Sequence, residues 1–134
     1  MLVAATKLTS AYASVTCPKI SLITGKSIGA AYIILAGKGA NADLTFAWDS
    51  AVISPLETDS AVAFLWGDRL ANGEDRTALE KEYDETIGSA FTAAACGAVD
   101  DVFAPQETKA KLINALDMLS GKRETTLPRK HSVK

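Results

Sequence analysis

The residues that could do chemistry here are gathered at 24–32, Thr-Gly-Lys-Ser-Ile-Gly-Ala-Ala-Tyr, and they offer backbone rather than side-chain chemistry. Small residues at Gly29, Ala30 and Ala31 let a ligand approach the main chain. The first N–H groups of a helix lack intrahelical acceptors, so they can stabilise a developing negative charge. The same residues also suit tight packing of a helix against a sheet, and composition does not choose between the two readings. Gly25-Lys26-Ser27 imitates part of a nucleotide P-loop, but the first glycine of that motif would fall at Ile20, inside an apolar run, so ATP binding is not supported.

Side-chain catalysis has little to build on. The single histidine, His131, lies in a polar tail, and neither Cys17 nor Cys96 has a CxxC partner, a nearby histidine or an activating neighbour. These cysteines argue against a zinc site and a disulfide framework, and are expected to be buried thiols in a reducing compartment. Asp100 and Asp101 are adjacent, so on a strand they point to opposite faces and should cap it or pair with a base rather than share a metal. Trp48 and Trp66 are expected to anchor packing.

The elements that must position the 24–32 segment follow from periodicity. Leu2, Ala5, Leu8, Tyr12 and Val15 recur at helical spacing and should form an amphipathic helix ending before Pro18. A short buried strand is expected at 20–24, and the apolar run after Gly29 fits either a second buried strand or an enclosed helix. Two short strands, at 44–48 and 51–53, should turn at Asp49-Ser50, and Pro55 suits the start of a helix over 56–66. The pattern of Leu79, Tyr83, Ile87, Ala90, Phe91 and Ala94 predicts one helix over 74–96, with Glu74 and Asp75 at its positive end and Gly97 as cap. A last strand at 99–103 should precede a helix with a stripe of Leu112, Ile113, Leu116 and Leu119, ending at Gly121. Strands alternating with helices predict an α/β fold.

With 134 residues, 48% of them hydrophobic, one domain is expected over 1–121, followed by a polar, basic tail over 122–134. The tail carries Arg129, Lys130 and His131, read as a solvated arm rather than a phosphate site. Fourteen Lys and Arg against sixteen Asp and Glu leave no electrostatic footprint for nucleic acid or an anionic membrane. No signal peptide is evident, and no run approaches the roughly 20 apolar residues that span a bilayer, so a cytoplasmic location is expected.

The order of segments adds what composition cannot. CPKISLITGKSIGAAYIILAGK, GANADLTFAWDSAVIS, GAVDDVFAPQETKAKLINAL and KRETTLPRKH together resemble, across nearly the whole chain, the carboxyltransferase subunits of biotin-dependent acyl-CoA carboxylases and decarboxylases. The resemblance implies a crotonase-like (ClpP/crotonase) α/β fold in which two homologous halves face each other across subunits of an oligomer. This chain corresponds to part of the second half, the side that handles biotin. It implies that the backbone N–H groups of Ala30 and Ala31 form an oxyanion hole for the biotin carbonyl, with Gly29, Tyr32 and Ile33 on the cofactor-binding side. It further implies an acyl-CoA substrate, biotin on a partner carrier protein, a first carboxyltransferase half on another chain, and no metal. Ile33, being apolar, would favour an acyl group larger than acetyl.

Two departures from the family pattern stand out. Glu57 and Ser60 occupy positions where the family usually has glycines, and a carboxylate there would disfavour a second negative charge. The chain also starts at what resembles a helix inside the second half, which would leave a sheet edge needing cover from another chain. Two functions therefore remain open: a carboxyltransferase component that works once its partner is bound, and a non-catalytic assembly subunit that keeps the fold with a degenerate site.

Overall fold

The computed structural model describes residues 2–35, 37–40 and 42–122. Its elements run α1 (Leu2–Ser14), β1 (Ile20–Ile23), β2 (Lys26–Ile28), α2 (Ala30–Ile34), β3 (Leu44–Trp48), β4 (Val52–Ser54), α3 (Thr58–Leu65), α4 (Gly67–Ala71), α5 (Arg76–Glu85), α6 (Ala90–Ala95), β5 (Asp101–Phe103) and α7 (Thr108–Leu119). Short 3-10 turns occupy Lys38–Ala40 and Pro105–Glu107. The strands form two parallel sheets, one ordered β1-β3-β5 and one pairing β2 with β4.

The middle strand β3 explains the layering. Thr45, Phe46 and Ala47 are all buried, as expected for a parallel strand covered on both faces. Phe46 joins Phe103 and Ala115 on one side, where Leu112 of α7 and Ile20, Leu22, Leu44 and Trp48 pack around them. The two phenylalanine rings meet edge to face at 5.6 Å. Ala47 points the other way, into a cluster with Ala51, Ile53, Ala90, Ala93 and Val99 that brings α6 onto the strands. Ala61, Val62, Leu79 and Tyr83 make a third cluster between α3 and α5.

The expected helix over 74–96 is two helices. Asp75, expected as a charge at the positive end, also caps α5 by accepting from the Ala78 N–H, but α5 stops at Glu85, and Ser89 caps a separate α6 by accepting from the Thr92 N–H. The break is tertiary in origin. The Ile53 N–H donates to Gly88 O at 2.7 Å, and Val52 bridges to Ser89, so the 86–89 turn is held against the end of β4. A Cβ at Gly88 would lie 3.3 Å from Val52 Cγ1, which is why glycine sits at this approach.

Other boundaries shift for local reasons. Pro55 does not open a helix: the Ser54 hydroxyl accepts from the Leu56 N–H and donates to Leu56 O, folding a bend that delays α3 to Thr58. β2 was not anticipated, because Lys26-Ser27-Ile28 has little apolar density and is recruited by pairing with Val52, Ile53 and Ser54. The last strand shortens to Asp101–Phe103. Both cysteines are exposed, contrary to the expected burial, since Cys17 lies between α1 and β1 and Cys96 ends α6 at the surface. On α7 the stripe divides: Ala115 is buried and Leu112 half-buried, but Ile113 and Leu116 are exposed. The tail residues Arg129, Lys130 and His131 lie outside the described residues.

Candidate functional site

The 24–32 segment is held from both ends. β1 stops at Ile23, the chain turns through Thr24 and Gly25, and β2 pairs with β4 in the register Lys26 to Val52, Ser27 to Ile53 and Ile28 to Ser54. The Val52 N–H donates to Gly25 O at 3.2 Å and the Gly29 N–H to Ser54 O at 2.9 Å. At Gly29 the backbone takes φ 56° and ψ −124°, a conformation that side-chain-bearing residues rarely adopt. That residue reverses the chain into α2, so the apolar run after it is a short helix rather than a second strand.

At the start of α2 the N–H groups of Ala30 and Ala31 precede any intrahelical bond. Among the described residues none accepts from either of them, and both residues are exposed. A Cβ built at Gly29 would lie 3.5 Å from Pro55 O, an ordinary contact, so the glycine is demanded by its backbone angles and not by crowding. Gly37 is the reverse case. A Cβ there would lie 2.9 Å from Tyr32 O, so the chain leaving α2 can fold back against the helix only without a side chain.

The predicted site residues therefore separate. Gly29 is half-buried and leads into the exposed Ala30 and Ala31 at the entry to α2, whereas Tyr32 is half-buried and packs against the Ala47–Ile53–Ala93 cluster. Tyr32 also lines a pocket of about 230 Å³ with Ile53, Pro55, Ile87, Ala93 and Cys96. Ile33 lies in α2. Glu57 and Ser60 are exposed at the start of α3, and neither makes a hydrogen bond to the 29–31 turn.

Sequence reasoning missed the support beneath this turn. Ser54 is buried, and its hydroxyl lies 2.9 Å from the hydroxyl of Tyr83, itself buried between α3 and α5. Because Ser54 O also receives the Gly29 N–H, one residue links the turn to the α5 helix. The Ser-Pro dipeptide was an available signal for a bend here. Lys26 and Thr58 both reach Asp84 of α5, with the Thr58 hydroxyl donating at 2.7 Å.

Charged groups elsewhere are engaged structurally. Lys38 pairs with Asp100 at 2.7 Å, and Asp100 also accepts from the Thr45 N–H, tying the segment after α2 to the central strand. Burial alone would raise the Asp100 pKa, but hydrogen bonds from Lys38 and the Thr45 N–H, with the lysine charge, hold it below the ordinary value. Asp101 pairs with Lys111. Each aspartate thus has a base for a partner, as expected, and no cluster of metal-ligating side chains occurs among the described residues. Trp48 donates to Thr108 at 3.0 Å, and Trp66 stacks edge-on against Tyr83, so both tryptophans anchor packing.

Two all-parallel sheets of short strands, of which β2, β4 and β5 give way to helical segments, make this a crotonase-like α/β protein. The chain belongs to the carboxyl transferase domain family, whose model matches residues 1–133. A putative propionyl-CoA carboxylase beta chain of Bacillus subtilis is 39% identical over 129 residues, covering 93% of this chain and 25% of its own length. The alpha subunit of methylmalonyl-CoA decarboxylase of Propionigenium modestum is 34% identical over 93% of this chain and 25% of its own length. Among solved structures, the hexameric transcarboxylase 12S with methylmalonyl-coenzyme A bound superposes with a TM-score of 0.83 at 31% identity, covering 96% of this chain and 26% of that one. The chain thus spans about a quarter of the length of these relatives.

Proposed function

We propose that this chain supplies the biotin side of a carboxyltransferase site, with the Ala30 and Ala31 N–H groups as donors to the ureido oxygen. The observation that carries the reading is the Gly29 turn, which leaves those two N–H groups exposed and without an acceptor among the described residues. Two N–H donors on small, exposed alanines leave room for a planar carbonyl of ureido type, so the residues present suit the cofactor. Biotin, when bound on a carrier protein, supplies the ureido nitrogen that carries the carboxyl group, and an acyl-CoA is its exchange partner.

The residues of this chain act by position and dipole. Fixed backbone donors stabilise negative charge without reorganising, and removing one such donor typically costs about 100- to 1000-fold in rate. Gly29 sets the donors' direction, the bond from its N–H to Ser54 O anchors the turn, and the Ser54–Tyr83 hydroxyl pair ties that anchor to α5. The first half of the site, which would hold the acyl-CoA, belongs to another chain in this reading.

The test is transfer of labelled carboxyl from carboxybiotin to propionyl-CoA by the chain assembled with the remainder of a family carboxyltransferase. Transfer is expected, and Gly29→Val should reduce it by at least about tenfold while the complex still forms. An assembled, folded complex without transfer would overturn this reading.

Glu57 favours the second reading, a non-catalytic assembly subunit. Its carboxylate is exposed and has no described partner, two residues beyond the Pro55 carbonyl that borders Gly29. Under that reading the assembled chain fails to bind biotin, and Glu57→Gly with Ser60→Gly restores binding. Biotin binding by the unmodified complex would remove it.

A further inference from the structure

Gly29 aims the Ala30 and Ala31 N–H groups but cannot hold its own angles. The direction of the Ala30 N–H follows from the Gly29 torsions, φ 56° and ψ −124°. Glycine has the weakest torsional preference of any residue, so those angles persist only where neighbours fix them. Two neighbours do, and both belong to the bend that follows β4. Ser54 O accepts the Gly29 N–H at 2.9 Å, and Pro55 O stands 3.5 Å from where a Cβ on Gly29 would lie.

The bend is fixed in turn by one side chain of α5. Ser54 is 1% exposed, and its hydroxyl donates to Leu56 O at 2.7 Å, accepts from the Leu56 N–H at 3.2 Å and lies 2.9 Å from the Tyr83 hydroxyl. A serine hydroxyl has one proton and two lone pairs. With the proton on Leu56 O and one lone pair on the Leu56 N–H, the second lone pair receives the Tyr83 O–H. The opposite assignment would strand the Tyr83 proton, buried, with no acceptor among the described residues, and would take from Leu56 O the donor it now has. Tyr83 therefore donates, and its hydroxyl completes Ser54.

Tyr83 is held at both ends. Its ring is packed with Ala61, Val62 and Leu79 and meets Trp66 edge-on at 6.1 Å. Its carbonyl accepts from the Gly88 N–H at 2.9 Å, and Gly88 O accepts from the Ile53 N–H at 2.7 Å. One tyrosine thus reaches β4 at two successive residues, Ile53 through the main chain and Ser54 through the hydroxyl. The neighbouring Asp84 ties Lys26 and Thr58 to the same helix, but Lys26 is largely exposed, and water weakens such a pair.

We infer that Tyr83 is a positioning residue for the two donors, acting through Ser54 on the torsions of Gly29. The inference rests on the proposed function for what the donors do, and adds the residue that keeps them aimed. At 2% exposure Tyr83 has no surface to offer a ligand, so its effect on transfer must pass through Ser54.

Tyr83→Phe tests this, because it deletes the hydroxyl and keeps the ring in its cluster. In the full chain it should shift the Ala30 and Ala31 amide resonances. In the chain assembled with the remainder of a family carboxyltransferase it should lower kcat for carboxyl transfer to propionyl-CoA by about fivefold, the loss of one hydrogen bond, with KM for propionyl-CoA unchanged. Ser54→Ala should lower kcat at least as much, and adding Tyr83→Phe to it should lower kcat no further, since the acceptor is already gone. Leu79→Ala loosens the same cluster without touching either hydroxyl, so it should lower the unfolding midpoint and leave both resonances and kcat in place. Unmoved resonances or an unchanged kcat in Tyr83→Phe, an equal further loss in the Ser54→Ala background, or resonances moved as far by Leu79→Ala would each overturn the proposal. Shifted resonances with no transfer by the unmodified complex would count against the proposed function alone, and transfer with unmoved resonances against this role alone.

Discussion

The two ends of this molecule are finished to different degrees. Between α3 and α5, Val62, Leu79 and Tyr83 are at most 2% exposed, and Trp66, Arg69, Glu74 and Glu82 close the cluster from outside with a cation–π contact of 4.9 Å and two ion pairs. At the other end, β1 has no fully buried residue, and α1 leaves Val3 and Leu8 exposed. The first region closes the inner face of α3 completely, although Phe64 and Leu65 on its outer face stay exposed, whereas the second buries no residue of β1 completely.

The sharpest way to break that contrast is to truncate one residue in each region. Leu79→Ala opens a cavity in a closed cluster and should cost about 2–5 kcal/mol by chemical denaturation. Leu22→Ala should cost less, because its side chain is only half-buried. Equal costs for the two truncations would remove the distinction.

Thr45 lies on the central strand beside β1. It is fully buried on β3, and its hydroxyl has no hydrogen-bond partner. A buried hydroxyl without a partner costs about 1–3 kcal/mol, so Thr45→Val, which keeps the shape and removes the polar atom, should raise stability by about 1 kcal/mol. A fall in the unfolding midpoint would mean that the hydroxyl is satisfied in solution.

Much of the finished region was legible in the sequence, and the reasons are local. Asp75 at the start of α5, the Leu79 and Tyr83 face, and the positive-φ Gly97 after α6 depend on residues close together in the chain. The break at 86–89 was not legible, since it depends on the Ile53 N–H reaching Gly88 O from a distant strand, although Gly88-Ser89 carries a glycine and a capping serine. β2 was hidden for the same reason. The Gly29 turn was legible as a place, through its small residues, but its support from Ser54 and Tyr83 was not, because a hydroxyl pair 29 positions apart leaves no pattern. The exposed Ile113 and Leu116 of α7 read as core from sequence, and periodicity cannot tell a face buried in this chain from one left for another.

Asp43 gives the smallest test and the one most specific to the unfinished end. Its carboxylate accepts from the Lys19 N–H at 2.7 Å and from Lys122 Nζ at 2.6 Å, joining the start of β1 to the segment after α7. Lys19 in turn donates through Nζ to Tyr12 O and Val15 O, capping the last turn of α1. Burial alone would raise the Asp43 pKa, yet those hydrogen bonds and the two lysine charges outweigh it and hold the carboxyl below its ordinary value. A depressed acid stabilises the folded state at pH values above the unfolded value of about 4, and that contribution fades as the pH falls through the lower folded value. Amide exchange followed below pH 5 should therefore loosen around Lys19 and Leu44 before it loosens around Tyr83. Asp43→Asn should weaken the same region at neutral pH and flatten its acid response. An unchanged acid response in Asp43→Asn would mean that other carboxylates hold this end, and the contrast between the two regions would then lie in their packing alone.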